Sequence, residues 1–118
     1  MARRISTEDG RAALAAVETA AAPARTVRAT AVRYLLQLLE EKAPGNAVEV
    51  RVPPFGAVQI VEGPRHTRGT PPNVVETDAA TWIALATGAE SWADAMAAGR
   101  IHASGTRADL SGLLPLRP

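Results

Sequence analysis

Three side chains able to hold an anion crowd together at Arg65, His66 and Arg68, just ahead of a Gly69-Thr70-Pro71-Pro72 run. Guanidinium and imidazole groups on a Gly/Pro-rich loop could grip a carboxylate or phosphate head group. The same residues also fit a solvated hairpin loop, where charge is ordinary. Asn73 either joins that cluster or caps the turn. The rest of the reactive inventory is thin. His66 and His102 are the only histidines, with no cysteine and no patterned acids between them, so no metal site is expected. Ser104-Gly105 lacks the strand–Gly-x-Ser-x-Gly–helix setting of a nucleophile elbow. Glu40 and Glu41 end a helix on its solvent side, and no pair of carboxylates is placed for acid–base work. No catalytic residue and no cofactor is therefore assigned, and the chain is read as a non-enzyme.

Composition bounds the partners. The 118 residues make one domain, carry a net charge of +1 and are 47% hydrophobic but only 3% aromatic. That charge is too small to announce a nucleic-acid partner, and single-strand binding would need a basic groove with exposed aromatics. No apolar run approaches the ~20 residues of a membrane span, so no stable membrane insertion is expected. The Met1-Ala-Arg-Arg start resembles a signal peptide only until Thr7, Glu8, Asp9 and Arg11 interrupt it. A cytoplasmic location is the default expectation.

The elements that must position these residues follow from periodicity. Residues 6–22 read as a helix capped by Ser6, with Glu8 and Asp9 at its positive end. Its apolar stripe is only Leu14, Val17 and Ala21, which makes it the element most able to move. After Pro23 a stronger helix runs over 24–42. Val27, Ala31, Tyr34, Leu35 and Leu38 share one face, widened by Val32, Leu36 and Leu39. A stripe that broad needs a sheet on one side and a helix or a ligand on the other. Pro44-Gly45-Asn46 stops it. From Val48 the period is two, with Val48, Val50 and Val52 opposite Glu49 and Arg51. Pro53-Pro54 turns the chain into a strand over 55–62, and a long loop leads to a short strand over 73–76. Asp78 then caps a helix that Gly88 ends, and Ser91 caps another that Gly99 ends. A strand over 100–104 and a short helix or turn from Thr106 finish the fold. Strands and helices are segregated, which predicts an α+β domain with a mostly antiparallel sheet of four or five strands covered by helices.

The stretch from Asp78 to Thr106, DAATWIALATGAESWADAMAAGRIHASGT, resembles the C-terminal half of the sterol-carrier-protein family. The shared features are the Leu85-Ala86-Thr87-Gly88 turn, Ala95 on the next helix, the Gly99-Arg100 turn and a strand ending in Ser104-Gly105. The preceding helix and hairpin suit the same layout, and the likeness is closest to short, single-domain bacterial forms. What the resemblance implies is an apolar tunnel between helices and sheet that accepts fatty acids, acyl-CoA or sterols. Leu35, Leu38, Leu39, Phe55, Val58, Ile60, Trp82 and Met96 are the lining it implies. Arg65, His66 and Arg68 are the head-group candidates. Two departures stand out: the sheet reads one strand short, and large apolar side chains are scarce.

The expected function is thus a non-catalytic carrier or binding module for a lipid or other apolar small molecule. The alternative is a protein-interaction or accessory scaffold, or a homodimer module, that works through the 1–22 helix without a lipid.

Overall fold

Residues 25–42 carry apolar side chains on one face at helical spacing, and residues 48–52 carry them on alternate positions; these two patterns meet to form the core. The computed structural model describes residues 4–63 and 73–118. In chain order its elements are α1 (Thr7–Thr19), α2 (Arg25–Lys42), β1 (Pro44–Val52), β2 (Gly56–Ile60), β3 (Val74–Thr77), α3 (Ala79–Thr87), α4 (Trp92–Ala97) and β4 (Ile101–Ser104). The strands form one mixed sheet ordered β2-β1-β3-β4. β1 pairs antiparallel with β2, β3 pairs antiparallel with β4, and β1 runs parallel to β3. The fold is α+β, with the helices on one face of the sheet.

Register decides which face is greasy. Val48 lies opposite Ile60, Val50 opposite Val58, and Val50 also opposite Val75. Val48, Val50, Val52, Ile60 and Val75 pack with Val32, Leu35, Leu36 and Leu39 of α2. The other face presents Glu49, Arg51, Gln59, Glu76 and His102 at intervening positions. Glu49 and Arg51 form an ion pair there. Strands alternate this way when only one face is covered.

Local chemistry fixes the helix ends. The Ser6 hydroxyl accepts the Asp9 N–H, the Asp78 carboxylate accepts both the N–H and the hydroxyl of Thr81, and the Ser91 hydroxyl accepts the Asp94 N–H. Gly88 closes α3 at φ 87°, in the left-handed region that favours glycine. α1 ends at Thr19 rather than 22, because the chain is already extended at Ala20. Pro44-Gly45-Asn46 stops α2 but also opens β1, where a proline is tolerated as the first strand residue. Gly45 is needed there, since a Cβ would lie 2.1 Å from the Val61 carbonyl oxygen. Residues 105–118 form turns rather than a helix. Leu110 and Leu116 are buried, and the Leu116 N–H donates to the Ala86 carbonyl at 2.8 Å.

α1 is held against α2 in an unusual way. It buries only Gly10 and Ala13. Gly10 sits directly on the Tyr34 ring: a Cβ at that position would come within 2.3 Å of two ring carbons. The Tyr34 side chain is itself buried. On a free helix, replacing Gly by Ala gains about 1 kcal/mol. Here Gly10→Ala is expected to do the opposite. It should lower the melting temperature and speed amide exchange across residues 7–19, while exchange in α2 and β1 stays slow. A variant more stable than the parent would refute this packing.

Candidate functional site

The side chains expected to line one pocket separate into different places. Leu35, Leu39, Ile60 and Trp82 are sealed in the core, none more than 1% exposed. The Trp82 indole N–H donates to the Val32 carbonyl at 3.3 Å. Together they fill the space between α2 and the centre of the sheet, where the tunnel was expected. With few large side chains available, the elements close around those present, as native interiors do. Met96 is 42% exposed beside β4, at the sheet edge opposite β2. Leu38 is half-buried in a depression beside Ile5 and Tyr34. Phe55 and Val58 stand at an opening.

That opening is a cleft of about 400 Å³ where α2 meets the edge strand β2. Leu36, Phe55, Gly56 and Val58 form its apolar wall, Ile5 closes one side, and Arg4, Arg33, Gln37 and Glu40 rim it. β2 is an edge strand that begins with Gly56 and Ala57, and the opening lies at that end of the α2–β2 seam, while Ile60 at the other end is buried. A larger groove of about 740 Å³ runs along the seam of α1 and α2. Ala12, Ala13, Ala16 and Val27 line it, with Thr26, Thr30 and Arg33 on the α2 side. Alanines make that groove: the methyl groups of α1 are too short to fill it.

A short strap divides the two openings. Arg4, Ile5 and Arg33 border both. The Ile5 N–H donates to the Gln37 side-chain oxygen at 2.9 Å, and the Gln37 amide donates back to the Ile5 carbonyl at 2.9 Å. Arg4 pairs with Glu41.

Two further cations converge on Phe55. Arg33 Nε donates to the Phe55 carbonyl at 2.7 Å, and the Arg25 guanidinium lies over the Phe55 ring, 5.3 Å from its centroid. Among the described residues neither arginine has a carboxylate partner. Sequence reasoning passed over this pair. A signal was present for one of them: α2 carries Arg25 and Arg28 in its first turn with no acid there, and Glu40 and Glu41 near its end. That order runs against the helix dipole.

The polar residues singled out earlier fall elsewhere. Arg65, His66 and Arg68 lie outside the described residues. Asn73 is 5% exposed and ties segments together: its amide donates to the Ala47 carbonyl at 2.9 Å, and its oxygen accepts the Arg107 N–H at 2.9 Å. His102 is exposed on the uncovered face of the sheet, in register with Glu76. Among the described residues no group of three His, Asp or Glu side chains could hold a metal ion. No helix there is long and apolar enough to cross a membrane.

A family profile described as bacterial SCP ortholog matches residues 24–116, and the chain belongs to this sterol-carrier-protein-like family. Membership suggests a lipid-carrier role in general and names no ligand. No curated protein matches the sequence. The match begins at residue 24, so α1 and the strap fall outside it.

One ion pair gives the fold a defined pH response. Arg100 makes two hydrogen bonds to the Glu90 carboxylate and holds it below the usual carboxylate range, outweighing partial desolvation and repulsion from Asp78. The Asp109 carboxyl is also lowered, chiefly by the Ser111 N–H at 2.8 Å. A carboxylate depressed in the folded state stabilises it above the unfolded value, about 4.3 for Glu, and that contribution is lost as pH falls through the folded value. Glu90→Gln should therefore lower the melting temperature at neutral pH. The gap between variant and parent should close below about pH 4. A gap that stays constant with pH would rule out the pair as its source.

Proposed function

We propose that this protein is a non-catalytic carrier of a lipid or other apolar small molecule, bound where α2 meets β2. One observation carries the reading: in a chain of the sterol-carrier-like family, the interface between α2 and the sheet opens at its β2 end, and Leu36, Phe55 and Val58 wall the opening. Its volume of about 400 Å³ suits a small ligand or part of an acyl chain. Displacing the Ile5 strap would join it to the α1–α2 groove, which has room for the rest.

Magnitudes set what such a site must do. Each methylene removed from water contributes about 0.8 kcal/mol, so eight of them in an open cleft give roughly 6 kcal/mol before ordering costs. Micromolar binding needs about 8 kcal/mol net. Apolar contact in this cleft alone therefore falls short, and a useful carrier needs either a longer dry path or a polar anchor.

The test is titration with cis-parinaric acid, whose fluorescence rises on leaving water. Saturable binding is expected, with a rise in melting temperature that grows with ligand concentration. Val58→Trp fills the cleft from an edge strand and should weaken binding by about tenfold or more, while the circular dichroism spectrum is kept. A protein that purifies without ligand and ignores fatty acid, acyl-CoA and sterol alike would overturn the carrier reading.

A second reading draws on the α1–α2 seam. α1 stands outside the family match and leaves a groove lined by alanines, which is the complement of another helix. On this reading a second copy docks there. Light scattering should then report a dimer that Ala16→Glu converts to monomer. A parent protein that is monomeric at every concentration sinks it.

A further inference from the structure

We propose that Arg25 and Arg33 form the anionic head-group anchor of the α2–β2 cleft, and that the ligand is an amphipathic anion whose carboxylate or phosphate lies beside Phe55. This deepens the carrier reading and rests on it.

Three observations converge. The first is placement. Arg33 borders both the cleft and the α1–α2 groove, and its Nε is bonded to the Phe55 carbonyl at 2.7 Å. That bond aims the guanidinium and uses only one of its five N–H donors. Arg25 reaches the same turn from one end of α2, 5.3 Å from the centre of the Phe55 ring. The turn thus holds one planar cation, Arg33, at the mouth of an apolar opening and a second, Arg25, over the ring of a residue that walls it; carboxylates and phosphates are bound by such cations.

The second is the missing counter-charge. The ion pairs among the described residues are Arg4–Glu41, Arg51–Glu49 and Arg100–Glu90. Arg25 and Arg33 stand in none of them. The nearby acids do not change this: Glu40 borders the cleft and Asp9 the groove that Arg33 also borders, neither in an ion pair with it, and Glu41 pairs with Arg4.

The third is a local rule broken. Cations in the first turn of a helix oppose its dipole, and α2 places Arg25 and Arg28 there with no acid, while Glu40 and Glu41 gather near the other end beside Lys42. α1 and α3 begin conventionally, with acidic residues at the cap or in the first turn. Sequences depart from consistent local choices mostly at functional sites. A bound anion offsets the repulsion that this charge order builds in.

The experiment compares dodecanoate, dodecyl phosphate and dodecanol by calorimetric titration of the full chain at low salt. The three share one apolar chain and differ in head group. The parent should prefer at least one anion over the alcohol by about tenfold, and the preferred anion tells carboxylate from phosphate. In Arg25→Gln/Arg33→Gln the preference should shrink to about twofold or less, and Arg25→Lys/Arg33→Lys should keep part of it. Arg25→Gln alone, which breaks no side-chain hydrogen bond among the described residues, should show a partial loss; its melting temperature without ligand should stay close to the parent's. Equal affinity of the parent for alcohol and anions overturns the anchor and leaves the carrier reading standing. An anion preference that survives in the double glutamine variant also overturns the anchor, and places the cation elsewhere. If none of the three compounds binds, the anchor is overturned, and the carrier reading is decided by acyl-CoA and sterol.

Discussion

Burial of one face of α2 against the β1 valines is the interaction on which everything else here depends. Val32, Leu35 and Leu39 meet Val48, Val50 and Val52 with no exposure left on any of the six. Large side chains are few, so this contact has little redundancy: truncating one buried leucine removes ~2–5 kcal/mol from a domain whose total is of order 5–15 kcal/mol. The same contact sets the limits of the site. Where α2 lies over the centre of the sheet, no room remains. Where it meets the Gly56 end of β2, a cleft appears. The Asn73 bonds to Ala47 and Arg107 and the Lys42 bond to the Leu113 carbonyl fasten peripheral segments onto this centre.

How legible this was differs by level. The caps Ser6, Asp78 and Ser91 and the stop at Gly88 could be read directly, because each is a local contract between a side chain and the backbone within three or four residues. The alternation from Val48 to Val52 likewise announced a half-covered strand. The parallel pairing of β1 with β3 was not legible, since nothing in either segment states its partner. The opening of β1 at Pro44 was hidden because the same Pro-Gly-Asn run that ends a helix also serves as a strand start.

The site was legible only in part, for a physical reason. Apolar periodicity shows which side chains leave water but not whether protein or ligand covers them. Leu35, Leu39, Ile60 and Trp82 satisfy the pattern as core; Phe55 and Val58 satisfy it at an opening. Met96, lining that only the resemblance implied, lies on a helix of six residues and is exposed. Arg25 and Arg33 were visible as charges, but their meeting at Phe55 depends on a turn more than twenty residues further along the chain. Clusters dense in sequence, such as Arg65–Arg68, draw attention that clusters assembled by tertiary structure do not.

The sheet topology carries one more consequence. Each antiparallel pair closes within a contiguous stretch of chain: α2, β1 and β2 in one, and β3, α3, α4 and β4 in the other. Among the described residues three residue pairs, from Glu49–Val74 to Arg51–Glu76, register these halves to each other along the sheet. The Trp82 indole bonded to Val32 is a rivet across the same join. Each half can thus assemble from short-range contacts before the join forms, which keeps the slow, long-range step of folding to a single seam.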